Sequence, residues 1–216
     1  MVLAFVQARM SSKRFPGKVL APFNGVPILT CVIERLSEVI SSDRIVVLTS
    51  IDQSDDPLVS YMENAGICVY RGPLKNVFER FQLCLREYPC SWFFRICADS
   101  PLMDNAILQT MLIKSGEPSV DLITNVFPRT FPKGQSVEML NADTFTSIDS
   151  NNLTREQQEH VTKIYYEKPE NYKIINLESS GKGLSTINLS VDTIEDLYRL
   201  QDFLTLSENI TWKFVE

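Results

Sequence analysis

The chain reads as an α/β domain organised on a mostly parallel central sheet with helices on both faces. Three observations predict this. Short runs rich in Val, Ile and Phe alternate with segments of helical periodicity from Val2 to Asn125. The clearest of these runs are continuously apolar, as strands buried on both faces are. At 216 residues, with 44% hydrophobic and 22% charged side chains, the chain can bury one sizeable core.

Val2 to Val6 is the first buried strand, ended by polar residues. Pro27 can open a helix to about Val39, with Ile28, Cys31, Val32 and Leu36 on one face. Arg44 to Thr49 is a second strand. Asp55, Asp56 and Pro57 start a helix that Gly66 stops. Ile67 to Tyr70 is a third strand, followed by a helix from Asn76 or Lys75 with Val77, Phe78, Phe81, Leu83 and Leu85 inward. Ser91 to Cys97 is a fourth strand, Asn105 to Lys114 a helix, and Asp121 to Asn125 a further strand. Beyond Phe127 the pattern loosens. A short strand is expected at Ser136 to Leu140, a helix over Thr154 to Glu167, strands at Tyr172 to Leu177 and Thr186 to Val191, and a closing helix from Thr193 to Leu206. With no repeat or linker in view, residues 1–216 read as one domain, with 127–185 as a substrate-side extension.

Composition narrows the function. A net charge of −6 and a pI near 5.0 argue against a nucleic-acid partner, which needs spread basic surface. Five cysteines without a C-x-x-C pair, all in apolar or strand-like stretches, read as reduced, buried thiols. No run is long enough to span a membrane and no charged segment precedes the first apolar run, so a soluble, cytoplasmic protein is expected.

One stretch departs from this acidic background. Gln7 to Leu20 (QARMSSKRFPGKVL) carries Arg9, Lys13, Arg14 and Lys18 with no acid, and the first acid in the chain is Glu34. A local cationic loop on an acidic protein suits a compact anion. Pro16-Gly17 sets a sharp turn, and Ser11, Ser12 and the loop amides add donors for phosphate oxygens. It is not a Walker A loop, because Val19 stands where a Ser or Thr would hold magnesium; nor is there a G-x-G-x-x-G turn. What remains is a loop able to neutralise a triphosphate, with arginines suited to bidentate contact and Lys18 to a point charge near the departing group. Strand-end topology puts Asp99 on the same edge. Asp99 and Asp192 each read singly as turn or N-cap residues. Together, facing a cationic loop, they suit a hard divalent cation held by carboxylates and phosphates. Glu138, on a short strand, and the pair Glu159-His160 could line an acceptor pocket. The only histidine has no triad partners.

These residues resemble the cytidylyltransferase family. Gln7 to Leu20 is similar to the signature Q-A-R-M-G-S-S-R-L-P-G-K-V-L. The match continues in order through Arg71-Gly72, Asn76-Val77, Arg80, Arg95 to Pro101, Arg129-Thr130-Phe131-Pro132, Glu138, Glu159-His160-Val161-Thr162 and Val191-Asp192-Thr193. The resemblance implies a GT-A-like (Rossmann-like) nucleotidyltransferase fold, magnesium (Mg2+) dependence, and transfer of CMP from CTP to a nonulosonate- or KDO-like sugar acid for surface polysaccharide synthesis. It implies triphosphate ligands at Arg9, Arg14 and Lys18, and a wider nucleotide side of Ala8, Met10, Ser11, Arg71, Arg80 and Ala98. It further implies metal ligands at Asp99 and Asp192, and acceptor contacts at Glu138, Glu159 and His160; a homodimer stays open. Ser11 and Lys13 depart from the signature, and Ser136 stands where relatives often carry aspartate. Two alternatives remain. A glycosyltransferase on the same architecture would use a D-x-D motif, which Ala98-Asp99-Ser100 does not supply. A non-catalytic nucleotide-binding subunit would bind CTP without turnover.

Overall fold

The structure is a computed structural model that describes residues 1–206. In chain order its elements are β1 (Val2–Gln7), β2 (Pro22–Phe23), β3 (Val26–Pro27), α1 (Ile28–Ser37), β4 (Ile45–Ser50), α2 (Asp56–Asn64), β5 (Cys68–Gly72), α3 (Val77–Glu87), β6 (Trp92–Cys97), α4 (Asn105–Lys114), β7 (Leu122–Thr124), β8 (Glu138–Asn141), α5 (Ala142–Ser147), α6 (Arg155–Glu159), α7 (Lys163–Glu167), β9 (Ile174–Asn176) and α8 (Ile194–Leu206).

Seven strands form one sheet in the order β5-β4-β1-β6-β8-β7-β9. β8 alone runs antiparallel to both neighbours. The chain winds outward from β1 through β4 to β5 and then returns to place β6 on the other flank of β1. That reversal makes the β1/β6 boundary a topological switch point, where loops leaving the carboxyl ends diverge and open a crevice. Register puts Gln7 beside Cys97, so the Ala8–Lys18 loop and Ala98-Asp99 leave the sheet as neighbours.

The alternation along each strand feeds two apolar layers. Ala4 and Val6 face a layer with Ile28 and Val32 of α1, Leu108 and Met111 of α4, and Leu197 and Leu200 of α8. Leu3 and Phe5 face the other, with Phe78 and Phe81 of α3, Phe145 of α5 and Tyr165 of α7. Phe5, Phe81, Phe93 and Phe145 pack there as an aromatic cluster, with Phe5 and Phe93 centroids 5.2 Å apart. Burying such rings contributes roughly 2–3 kcal/mol each. On α3 the buried face is Val77, Phe78, Phe81, Cys84 and Leu85, while Leu83 is only half-buried; helical spacing favours Cys84 over it.

Several expectations are corrected. α5 follows β8 where no helix was expected, whereas Pro27 stands at the start of α1 as expected, as its N-cap, while also ending the short hairpin strand β3. The single helix expected over 154–167 is broken in two. Thr154 and Gln157 cap α6 reciprocally, and His160 then leaves helical geometry (φ −107, ψ 86). Val161 is fully buried and the Thr162 hydroxyl donates to Glu138, so tertiary contacts override local propensity. The strand expected at 186–191 is a 3-10 turn (Leu184–Thr186) followed by extended chain with one bridge, Lys133 to Asn188. The cysteines are free as expected. Only Cys84 is fully buried, and Cys68 on edge strand β5 is exposed.

Candidate active site

A cavity of about 1020 Å³ opens at the switch point. The loop after β1 contributes Gln7, Ala8, Arg9, Ser11, Ser12, Lys13, Arg14 and Lys18. The end of β6 contributes Cys97, Ala98 and Asp99; α6 and its C-terminal cap contribute Arg155, Gln158, Glu159 and His160; Asp192 also lines it. The loop is shaped by its own backbone. Gly17 takes φ +74, a left-handed conformation that an L side chain strains to adopt, and its N–H donates to the Met10 carbonyl at 2.8 Å. The Val191 N–H donates to the Asp99 carbonyl at 2.9 Å, which docks the segment bearing Asp192 against the end of β6.

The predicted triphosphate cations are paired with acids. Arg9 Nη2 lies 2.6 Å from Glu159 Oε1, and Arg14 Nη2 lies 2.9 Å from Asp192 Oδ1. Lys18 Nζ donates to Asp99 Oδ2 (3.0 Å), Asp192 Oδ1 (3.3 Å) and the Val191 carbonyl (2.9 Å). Lys133 adds a contact to Asp192 Oδ2 at 2.5 Å. Burial pushes the Asp192 carboxyl up, but the Lys133 hydrogen bond and the Lys18 charge outweigh it and hold the group below its ordinary value. Among the described residues, the cavity-lining cations Lys13, Lys75 and Arg155 make no ion pair.

The oxygens around Lys18 Nζ bear on metal binding. Two carboxylates and a carbonyl already converge on one cation, an all-oxygen donor set of the kind a hard divalent ion takes. No group of three or more His, Cys, Asp or Glu that could hold a metal occurs among the described residues, so phosphate and water would complete the shell.

Four predicted residues do not line the cavity with their side chains. Glu138 is 4% exposed and does not line the cavity. Its carboxylate pairs with Arg95 at 2.8 Å and accepts hydroxyls from Thr162 (2.7 Å) and Tyr166 (2.5 Å). Burial and that carboxylate push the Tyr166 phenol above its ordinary value. Arg95 also donates to Gln7 Oε1 at 3.1 Å, so Glu138 supports the cavity from beneath. Arg71 donates to the Ser50 and Asp52 carbonyls and pairs with Asp56. Arg80 is fully buried and donates to the Pro73 and Leu74 carbonyls, and burial lowers its pKa to about 10. Both arginines brace backbone beside the cavity. Met10 likewise contributes its peptide rather than a lining side chain.

Arg155, Gln158 and Lys75 line the cavity without having been singled out. Helical spacing from Glu159 could have found Arg155, four residues earlier on the same face. Lys75 reaches the cavity only through tertiary folding. The signal for Arg95 was present: a lone charge within the otherwise apolar SWFFRIC strand.

The cytidylyltransferase family profile matches residues 3–206. The chain belongs to the cytidylyltransferase family. An uncharacterized protein of Methanocaldococcus jannaschii is 30% identical over 196 residues, covering 90% of this chain and 79% of the relative. The spore coat polysaccharide biosynthesis protein SpsF of Bacillus subtilis is 29% identical over 201 residues, covering 90% and 82%. A cytidylyltransferase from Leptospira borgpetersenii superposes with a TM-score of 0.85 at 26% identity, covering 98% of each chain. A CMP-2-keto-3-deoxy-manno-octonic acid synthetase solved with CTP shares the fold (TM-score 0.71, 14% identity, 95% and 98% coverage). As a cytidylyltransferase-family member, the chain is a nucleotidyltransferase on an α/β, Rossmann-like sheet.

Proposed function

We propose that this nucleotidyltransferase transfers CMP from CTP to a sugar acid of the nonulosonate or KDO type, releasing pyrophosphate, in surface polysaccharide synthesis. The observation that carries this reading is the convergence of Arg9, Arg14 and Lys18 with Asp99 and Asp192 in one cavity at the β1/β6 switch point. The acids now paired with these cations stand where phosphate oxygens would compete for them. An acceptor hydroxyl oxygen attacks the α-phosphorus and gives up its proton to solvent, the bond to the bridging oxygen breaks, and pyrophosphate leaves with that electron pair. Arg9 and Arg14 bind non-bridging and terminal oxygens, and Lys18 meets charge growing on the leaving group. Asp99 and Asp192 would hold magnesium, which supplies Lewis-acid neutralisation of phosphate charge. Positioning and electrostatics therefore do most of the catalysis. Arg155, Gln158, Glu159 and His160 form the opposite wall, where donors and acceptors face the acceptor's carboxylate and hydroxyls. Names among the relatives, including 3-deoxy-manno-octulosonate cytidylyltransferases that match 57% and 59% of this chain and about half of their own length, support an acidic sugar.

The test is pyrophosphate release from CTP with magnesium across a panel of 2-keto sugar acids. Release with at least one acceptor, and far slower release with UTP or ATP, is expected. No release with any acceptor, together with no CTP binding by calorimetry, would refute the reading.

A further inference from the structure

The loop after β1 closes on a single residue, Met10. The Met10 carbonyl accepts the Ser12 N–H at 2.9 Å and the Gly17 N–H at 2.8 Å, gathering both ends of the turn. The Met10 N–H donates to Asp55 Oδ1 at 2.7 Å. Asp55 is fully buried and does not line the cavity. Its other oxygen, Oδ2, accepts the Ser50 N–H at 3.0 Å and the Ser50 hydroxyl.

Asp55 is itself held rigidly. It ends the 3-10 turn Gln53–Asp55, which Asp52 caps by accepting the Ser54 N–H at 2.9 Å. Arg71 ties the Ser50 and Asp52 carbonyls to β5 at 3.0 and 2.9 Å. The buried charge of Asp55 is opposed by that of Arg80, also fully buried. One carboxylate thus links the end of β4, the start of α2 and the pivot of the cationic loop.

We propose that Asp55 is a positioning residue for triphosphate binding: it fixes the Met10 peptide so that Arg9, Arg14 and Lys18 are presented together. This rests on the nucleotide reading above. The chemistry requires a carboxylate. Met10 and Ser50 each bring a backbone N–H, and a carboxylate accepts at both oxygens, whereas asparagine offers one oxygen and one NH2. In Asp55→Asn one buried N–H must therefore face another donor, whichever way the amide is turned. The grip on the β- and γ-phosphates loosens while the base and α-phosphate contacts stay.

The experiment is calorimetric titration of CTP and CMP into the wild-type protein and Asp55→Asn, with the fold checked by circular dichroism. The Kd for CTP is expected to rise about tenfold or more, with the Kd for CMP within about twofold, so the preference for CTP over CMP collapses. A purely structural role would leave that preference unchanged, and an unchanged ratio in folded Asp55→Asn overturns the proposal while wild-type CTP binding keeps the nucleotide reading. Failure of the wild-type protein to bind CTP would instead sink that reading. Hydrogen exchange of the Met10 amide in the wild-type protein, read by NMR, tests the anchor without nucleotide or variant. Strong protection is expected, and exchange as fast as that of an unprotected peptide overturns the proposal even if Asp55→Asn does not fold.

Discussion

The two walls of the cavity are built on different principles. The proposed nucleotide wall is a contiguous loop, Gln7 to Lys18, shaped by hydrogen bonds within it and pinned at one peptide by Asp55. The proposed acceptor wall is an elbow between α6 and α7, two five-residue helices held in place by Glu138 of β8 through Thr162 and Tyr166. A local loop concentrates its chemistry in consecutive residues. An elbow draws it from distant ones, and its shape depends on a buried polar network. On the proposed reading, the first wall is suited to one constant partner and the second can change with few substitutions.

Four perturbations probe this contrast. The largest effect falls on the nucleotide side: Asp99→Asn is expected to slow pyrophosphate release about 10²–10³-fold with an unchanged circular dichroism spectrum. Near-normal turnover would remove Asp99 from the chemistry. Second, Glu138→Gln leaves Arg95 as a buried charge without its partner, and breaking such a pair costs about 3–5 kcal/mol. Urea unfolding should show that loss together with a raised KM for the acceptor. A loss below about 1 kcal/mol would mean that Glu138 does not hold the elbow.

The third perturbation is acid. Asp192 has a folded pKa below its ordinary value of 3.8, so its contribution to stability is complete above that value and is lost as pH falls through the folded one. Asp192→Asn should lower stability at neutral pH and flatten the acid limb below about pH 4. An acid limb identical to that of the wild type would contradict the ion-pair geometry around Lys18. The smallest effect joins the two walls. The Arg9–Glu159 pair is about one-third exposed on each side and is worth at most about 1 kcal/mol. Glu159→Gln frees Arg9 for phosphate and should tighten CTP binding up to about fivefold; weaker binding would show that Glu159 supports the loop rather than competing with phosphate.

The same contrast explains what could be read before folding. β1, β4 and β6 announce themselves as apolar runs, and their parallel pairing puts the Gln7–Lys18 loop and Asp99 on one edge. Arg9, Arg14 and Lys18 were legible because they lie within ten residues of one another on an otherwise acidic chain. The α6–α7 break was not, because residues 154–167 have acceptable helical propensity and only the burial of Val161 and the Thr162–Glu138 hydrogen bond interrupt them. Glu138 looked like a site residue because a carboxylate on a short strand has no sequence mark of its partner; Arg95 is 43 residues away. Asp55 was legible only as a helix start, since nothing in Asp55-Asp56-Pro57 tells which acid turns inward.

The claim on which the rest depends is that the cations of this cavity grip a triphosphate. Calorimetric titration of CTP into the wild-type protein and Lys18→Ala tests it most directly. CTP should bind the wild-type protein and bind Lys18→Ala at least about tenfold more weakly, since a charge-assisted contact contributes roughly 1.5–3 kcal/mol. Equal affinity for CTP in the two proteins would place the triphosphate elsewhere and contradict the claim.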